Sequence, residues 1–263
     1  MSDGPYQKAR NGLDDFKIPK QLLTCRKNTE QMIIEPIAIF RSPLKEKFGI
    51  PRQAGIANSL SGTVELKAPY NRPDALRGLE EFDYVWLIWG FSLNRPRHSD
   101  NSGTKDTDET GKHFEATVRP PRLGGNARVG VFASRSPFRP NGLGLSAVRI
   151  TKIDFDKCTI EVRGADLADG TPVYDIKPYI EYADSHAGAR SGFVDSNGWK
   201  TLKVILPDHV RKEFDPAQLT ALEEILAQDP RPQFQHDPER IYGMNYAGAE
   251  IKFRVSGDIL EVL

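Results

Sequence analysis

Residues 82–91 read FDYVWLIWGF, and how this run folds decides the architecture of the chain. It is apolar, aromatic or β-branched almost throughout and too short for a typical buried helix, so it reads as a fully buried strand at the centre of the core. Its longest apolar part, Val85–Phe91, falls far short of a membrane span. Outward from it the pattern stays strand-like. Residues 32–40 (MIIEPIAIF), Thr63–Leu66, Ala127–Ala133, Ser146–Ile153 and Thr159–Arg163 are short Ile- or Val-rich or alternating segments. Pro36 sets the first of these on a sheet edge or at a bulge. One short helix is expected at Ala75–Glu80, behind Pro73 and Asp74. Helices are too scarce between these strands for parallel βαβ units, and a mostly antiparallel barrel or sandwich is the expected closure.

A Gly-, Ala- and Ser-rich stretch at residues 182–197 marks a boundary. Beyond it lies a smaller unit: a strand at Lys203–Leu206, a helix from Pro216 to about Gln228, and a hairpin of Glu250–Val255 and Ile259–Leu263 about Gly257-Asp258. The helix has Asp215 as N-cap, Pro216 at its first position, and Leu219, Leu222, Ile225 and Leu226 on one face. Residues 1–31 show no sustained period and read as a partly ordered extension; the domains expected are then 32–185 and 198–263. Residues 95–113 contain no large apolar side chain and read as a mobile loop.

The chain carries 36 basic and 36 acidic residues, so a role with nucleic acid must rest on local patches rather than on net charge. Cys25 and Cys158 are its only cysteines, which excludes a disulfide framework and fits a reducing compartment. The first thirty residues lack an apolar secretory core, so a cytoplasmic protein without membrane attachment is expected. Its five histidines have no ligand spacing and neither cysteine has a neighbouring His, so neither a metal site nor a thiol nucleophile is expected.

One patch stands out. From Ala116 to Ile153 there is no Asp or Glu, while Arg119, Arg122, Arg128, Arg135, Arg139, Arg149 and Lys152 are all basic. Within it, Gly130–Ile150 (GVFASRSPFRPNGLGLSAVRI) sets Arg135, Arg139 and Arg149 among two prolines and the turn residues Asn141, Gly142 and Gly144. Guanidinium forks beside bare backbone N–H groups suit phosphate or carboxylate. Residues 142–147 formally match a dinucleotide fingerprint, with Glu161 at the acidic position, but an Arg/Pro loop precedes them and an alternating strand follows, so the match is rejected. Residues 164–179 (GADLADGTPVYDIKPY) add Asp166, Asp169, Asp175, Lys177 and Tyr179. Asp169-Gly170 reads as a turn and Asp175 as the start of another; the acids could also pair with Arg135 or Arg139, or accept the hydroxyl and amino groups of a ligand.

GVFASRSPFRPN, PYNRPDALRGLEEFDYVWLIW, VRPPRLGGNARVGVF, DLADGTPVYDIKPY and QDPRP together resemble the TrmO (TsaA/YaeB-like) family from about Ile33 to the C-terminus. The resemblance implies a mainly β fold, a small β-barrel methyltransferase domain with an α+β C-terminal accessory domain, usually as a homodimer. It implies S-adenosylmethionine-dependent methylation of N6 of threonylcarbamoyladenosine at position 37 of tRNA, in the anticodon loop. By position, Pro51, Arg52, Gln53, Ser92, Leu93, Arg135, Leu145, Arg163, Gly164, Ala165 and Asp166 would bind the cofactor. Ser92-Leu93 replaces a polar His-Gln pair of bacterial relatives, so contact there would run through backbone. Arg139, Asn141, Tyr179 and Arg231 would face the tRNA, and Asp169, Asp175 and Lys177 form the candidate catalytic set. Two alternatives fit the same residues: a non-catalytic RNA-binding module, and a methyltransferase acting on another RNA or a small-molecule amine.

Overall fold

The computed structural model describes residues 33–93, 115–125, 127–232, 235 and 237–263, so the expectations for residues 1–31 and 95–113 lie outside the described residues. In chain order the first eight strands are β1 (Ala38–Arg41), β2 (Ser61–Leu66), β3 (Tyr84–Gly90), β4 (Thr117–Val118), β5 (Val129–Gly130), β6 (Leu143–Asp154), β7 (Thr159–Arg163) and β8 (Thr171–Pro178). Six of them close an antiparallel barrel in the order β1-β2-β7-β6-β3-β8. The apolar run within residues 82–91 is β3, flanked by β6 on one side and β8 on the other. Val85, Leu87 and Trp89 point into the barrel with Phe40, Val64, Val148, Ile160, Val162 and Val173. The alternate residues Trp86 and Ile88 are only half-buried, on the outer face. Continuous hydrophobicity in β3 thus serves two environments, the barrel core and an outer wall.

Two short helices, α1 (Glu181–Asp184) and α2 (Phe193–Ser196), lead into the C-terminal unit. There β9 (Lys203–Ile205), α3 (Asp208–Glu213), α4 (Pro216–Ala227), β10 (Tyr242–Tyr246), β11 (Ala249–Ser256) and β12 (Ile259–Val262) form a four-stranded sheet, ordered β10-β11-β12-β9, with its helices. Helix α4 begins as its sequence dictates: the Asp215 side chain accepts from the amides of Ala217 and Gln218, and the Gln218 side chain accepts from the Asp215 amide. Its apolar face packs with Tyr242, Met244, Phe253 and Leu260 in a second core. That core also takes in Leu44, Ala57 and Leu60 from the long connection between β1 and β2. Glu224 of α4 accepts both the Ser59 amide (2.7 Å) and the Ser59 hydroxyl (3.0 Å). The β1–β2 connection is therefore held by the C-terminal unit as well as by the barrel, and it carries Pro51–Gln53.

Several local expectations are corrected. Of the strand expected over 32–40, the described residues 33–37 are not strand and β1 starts at Ala38; Ile33 and Ile34 are exposed, and Pro36 offers no N–H to a ladder. The expected helix at Ala75–Glu80 is two separate 3-10 turns, Pro73–Ala75 and Leu79–Glu81, divided by Gly78 in the left-handed region at φ 84°. Of Ala127–Ala133 only Val129–Gly130 is strand, paired to β4 outside the barrel, and a 3-10 turn follows at Val131–Ala133. Asp175 does not begin a turn: it lies within β8, opposite Ile88. Pairing with both β1 and β3 overrides the turn-rich composition of this stretch.

Candidate functional site

A cleft of about 1450 Å³ opens where the barrel mouth meets the C-terminal unit. Its floor is aromatic, with Trp89 and Phe91 from the end of β3, and Trp86 and Leu145 stand on the outer barrel wall beside it. Residues 47–53, 115–122 and 134–139 form its sides, and Phe193 of α2 closes it together with Trp199 and Pro230. Among the described residues, Lys47, Arg52, Arg119, Arg122, Arg128, Arg135 and Arg139 line it, against Glu115 and Asp166. Low-dielectric walls carrying one sign of charge concentrate a polyanion.

The loop that bears Arg135 and Arg139 is built by its serines. The Ser134 hydroxyl donates to the Val131 carbonyl (2.8 Å) and accepts the Ser136 amide, and the Ser136 hydroxyl accepts the Phe138 amide. Arg139 braces the same loop from within: Nη1 donates to the carbonyls of Ser134 (2.8 Å) and Val131 (3.4 Å), with the guanidinium 5.8 Å from the Phe132 ring centroid. Arg135 is exposed and donates to Gln53 Oε1 at 2.6 Å. Asp166 lies across the barrel mouth and accepts the Ser146 hydroxyl at 2.5 Å. Burial pushes the Asp166 carboxyl above its ordinary range, while the Ser146 hydroxyl, its own amide, the Arg135 charge and the Ala54 amide pull it back.

The cleft thus brings together Pro51, Arg52, Gln53, Ser92, Leu93, Arg135, Arg139, Leu145 and Asp166. Gly164, with φ at 77°, is stitched to the β1–β2 connection, its amide donating to Leu60 and its carbonyl accepting from Gly55. Ala165 is buried beneath, so both residues set the position of Asp166, and Arg163 is exposed at the end of β7 opposite Ser61. Asn141 is exposed in the turn closed by the Gly142 amide on the Arg139 carbonyl.

The remaining expected residues lie off the cleft wall. The Asp169 carboxylate accepts the Ser42 amide at the end of β1. Asp175 and Lys177 face Ile88 and Trp86 across the β3–β8 pair. Tyr179 packs against Trp86 and Tyr84, with ring centroids at 5.8 and 6.1 Å. The Ile180 amide and the Trp86 indole hold the nearby Asp184 carboxyl below its usual range. Arg231 is buried in a two-pronged pair with Asp229, Nε to Oδ1 at 2.8 Å and Nη2 to Oδ2 at 2.9 Å, which shapes the Asp229–Pro232 turn.

Sequence reasoning missed Trp199, whose ring sits under the Arg52 guanidinium (4.2 Å) with Arg122 at 5.7 Å. Arg52 also reaches the carbonyls of Asp229 and Arg231, and Arg122 donates to the Asn197 carbonyl. A lone tryptophan in a polar, Gly-rich segment was the available signal. Among the described residues no group of three or more His, Cys, Asp or Glu is placed to hold a metal ion.

The model of the tRNA-methyltransferase O N-terminal domain matches residues 39–185, and that of the TrmO C-terminal domain matches residues 200–263. A tRNA (adenine(37)-N6)-methyltransferase of Escherichia coli K12 is 39% identical over 238 residues, covering 87% of this chain and 95% of the relative. A protein of Pseudomonas aeruginosa PAO1 described as a putative S-adenosylmethionine-dependent methyltransferase, RcsF, is 38% identical over 243 residues, 88% and 96% of the two chains. The crystal structure of TrmO from Pseudomonas aeruginosa superposes with a TM-score of 0.65 at 32% identity, covering 88% of this chain and 97% of that one.

Proposed function

As the chain belongs to the TrmO family, matched over both of that family's domains, we propose that it transfers a methyl group from S-adenosylmethionine to N6 of adenosine 37 in tRNA. The single observation that carries the reading onto this chain is the cleft itself. Among the described residues, seven basic side chains and two acids surround an aromatic floor, with Gln53, Arg135 and Asp166 converging at the barrel mouth.

The residues present fit the cofactor. Arg135, exposed and oriented by Gln53, suits its carboxylate; Asp166 suits ribose hydroxyls; backbone groups around Pro51–Gln53 and Gly164–Asp166 suit adenine edges. S-adenosylmethionine when bound supplies a sulfonium methyl, and its transfer is an in-line displacement that asks the protein for alignment above all. This chain supplies the alignment through a floor locked by the barrel and walls locked by the C-terminal unit.

The target in this proposal is the threonylcarbamoyl form of adenosine 37, in the anticodon loop, whose carboxylate adds a further anion for the Arg-lined wall. Unpaired loop bases also stack on aromatic side chains, which suits Tyr179 beside Trp86. Asp175 and Lys177 stay the favoured catalytic candidates, because their strand partners Ile88 and Trp86 lie beside Leu145 and on the cleft wall respectively. Asp169 remains a third candidate; its carboxylate accepts the Ser42 amide, as that of Asp175 accepts the Ile176 amide. The enzyme in this proposal acts as a cytoplasmic homodimer. No helix among the described residues is long and apolar enough to cross a membrane.

Incubation with methyl-labelled S-adenosylmethionine and bulk tRNA tests the reading. Label in the tRNA is the expected result. Binding of tRNA without label transfer, and without calorimetric heat from the cofactor, would make the chain an RNA-binding module instead.

A further inference from the structure

The barrel mouth holds a buried polar pair in a position where apolar side chains would otherwise pack. Ser146 of β6 is 2% exposed and Trp89 of β3 is 5% exposed. Trp89 Nε1 donates to Ser146 Oγ at 3.0 Å, and Ser146 Oγ donates to Asp166 Oδ1 at 2.5 Å. Chemistry fixes the direction of this chain. An indole N–H can only donate, so it occupies a lone pair of the serine oxygen and leaves the single hydroxyl proton for the carboxylate. A hydroxyl bound to a carboxylate at this separation is a strong, charge-assisted contact.

The surroundings are arranged to keep the indole in place. Gly144 is the strand partner of Trp89, and a Cβ at Gly144 would run into the Trp89 ring, although the glycine has no positive φ. Glycine is needed there for room. Phe91 meets the same indole edge-on at 4.4 Å between centroids. Among the described residues, the other groups acting on the Asp166 carboxyl are its own amide, the Ala54 amide and the Arg135 guanidinium. These lie on loops, whereas Ser146 and Trp89 lie on barrel strands and give the carboxylate its rigid anchor.

We infer that Ser146, pinned by the Trp89 indole, is a positioning residue for methyl transfer: its hydroxyl holds the Asp166 carboxylate at the barrel mouth in the orientation used to bind the cofactor. The inference rests on the cofactor reading of Asp166 given above. Ser146 itself lies beneath the carboxylate and acts only through it. A serine kept merely to satisfy the Trp89 N–H would affect folding but would not couple to Asp166.

The test is calorimetric titration of the full chain with S-adenosylhomocysteine, using Ser146→Ala, Asp166→Asn, the double variant and Trp89→Phe, with thermal melting as a control for folding. Losing a hydrogen bond to a charged group corresponds to about ten- to hundredfold in affinity, and Ser146→Ala is expected to show it. In the Asp166→Asn background the same change should add less than about threefold, since the two residues act as one unit. Trp89→Phe should weaken binding in the same direction but less. Ser146→Ala should also move the acid limb of cofactor binding to higher pH, because Asp166, already pushed up by burial, loses a donor that lowers it. Unchanged affinity in Ser146→Ala while Asp166→Asn is impaired would overturn the inference alone, as would equal losses in both backgrounds. Unchanged affinity in Asp166→Asn would overturn the cofactor reading and the inference with it. Should Ser146→Ala not fold, Trp89→Phe combined with Asp166→Asn replaces it, with non-additive losses expected and additive losses contradicting.

Discussion

Arg139→Ala should impair cofactor and tRNA binding together, whereas Arg135→Ala should impair the cofactor alone. The difference follows from what each guanidinium holds. Arg139 bonds the Ser134 carbonyl at 2.8 Å and the Val131 carbonyl at 3.4 Å and lies 5.8 Å from the Phe132 ring, so it fastens the loop that carries Arg135. A well-formed bond from a charged donor contributes about 1.5–3 kcal/mol, the longer one much less, and an exposed cation–π contact about 0.5–1 kcal/mol. Together they favour the ordered loop by roughly 2–4 kcal/mol, and the serine bonds at Ser134 and Ser136 retain part of that order when Arg139 is removed. About a tenfold loss for each ligand that needs the loop is the net expectation. Among the described residues Arg135 hydrogen-bonds Gln53 across the cleft and no part of its own loop, and its removal should cost about ten- to hundredfold in cofactor affinity while tRNA affinity stays within about threefold. Arg139→Lys should behave like Arg139→Ala, because an ammonium lacks the planar fork that stacks and bridges. Calorimetry with S-adenosylhomocysteine and fluorescence anisotropy with an anticodon stem-loop, at two salt concentrations, read both ligands. A loss confined to tRNA, with a shallower salt dependence and rescue by Arg139→Lys, would refute this reasoning and make Arg139 a simple ionic contact to the RNA.

Further outcomes follow from the same geometry. Glu224→Ala leaves the Ser59 amide and hydroxyl without their acceptor, a loss of about 1–3 kcal/mol, and calorimetric melting should show Tm lower by roughly 3–10 °C. Gly144→Ala forces a methyl into the Trp89 ring, and overpacking of about 1–3 kcal/mol should lower Tm and change the tryptophan emission; an unaltered spectrum with full cofactor affinity would count against the packing described. The Tyr246 phenol, buried and donating to the Gln218 carbonyl, has its pKa raised from 10.0 to about 12. The unfolded chain loses this proton first, so the contribution is intact below pH 10 and disappears as pH rises toward 12; Tyr246→Phe should remove that part of the alkaline stability slope, measured by denaturant titration across the range.

What could be read from the sequence was what local pattern encodes. The alternation of Ser146–Ile153 and Thr159–Arg163 gave strands, and Asp215 followed by Pro216 gave the start of α4, because period and cap are properties of neighbours in the chain. Strand β8 was hidden by Asp, Gly and Pro, whose turn preference yields to pairing on both sides. The helix expected at Ala75–Glu80 failed on the single left-handed Gly78. Arg135 and Asp166 were visible through motifs and the family resemblance. Trp199 was not, since its value comes from Arg52 and Arg122 arriving from distant loops, and Arg52 lies 177 residues from the Asp229 carbonyl it meets. Arg231 carried a motif signal, but its guanidinium is spent on Asp229, which no spacing rule distinguishes from an exposed substrate contact.

The most direct test of the central claim is nucleoside mass spectrometry of tRNA treated with the purified chain and S-adenosylmethionine, with tRNA bearing or lacking threonylcarbamoyl at adenosine 37, and with Arg135→Ala in parallel. The expected product carries one added methyl on N6 of position 37, in the threonylcarbamoylated tRNA, and its yield is greatly reduced with Arg135→Ala. A methyl at any other nucleoside, or none with the unaltered chain, would contradict it.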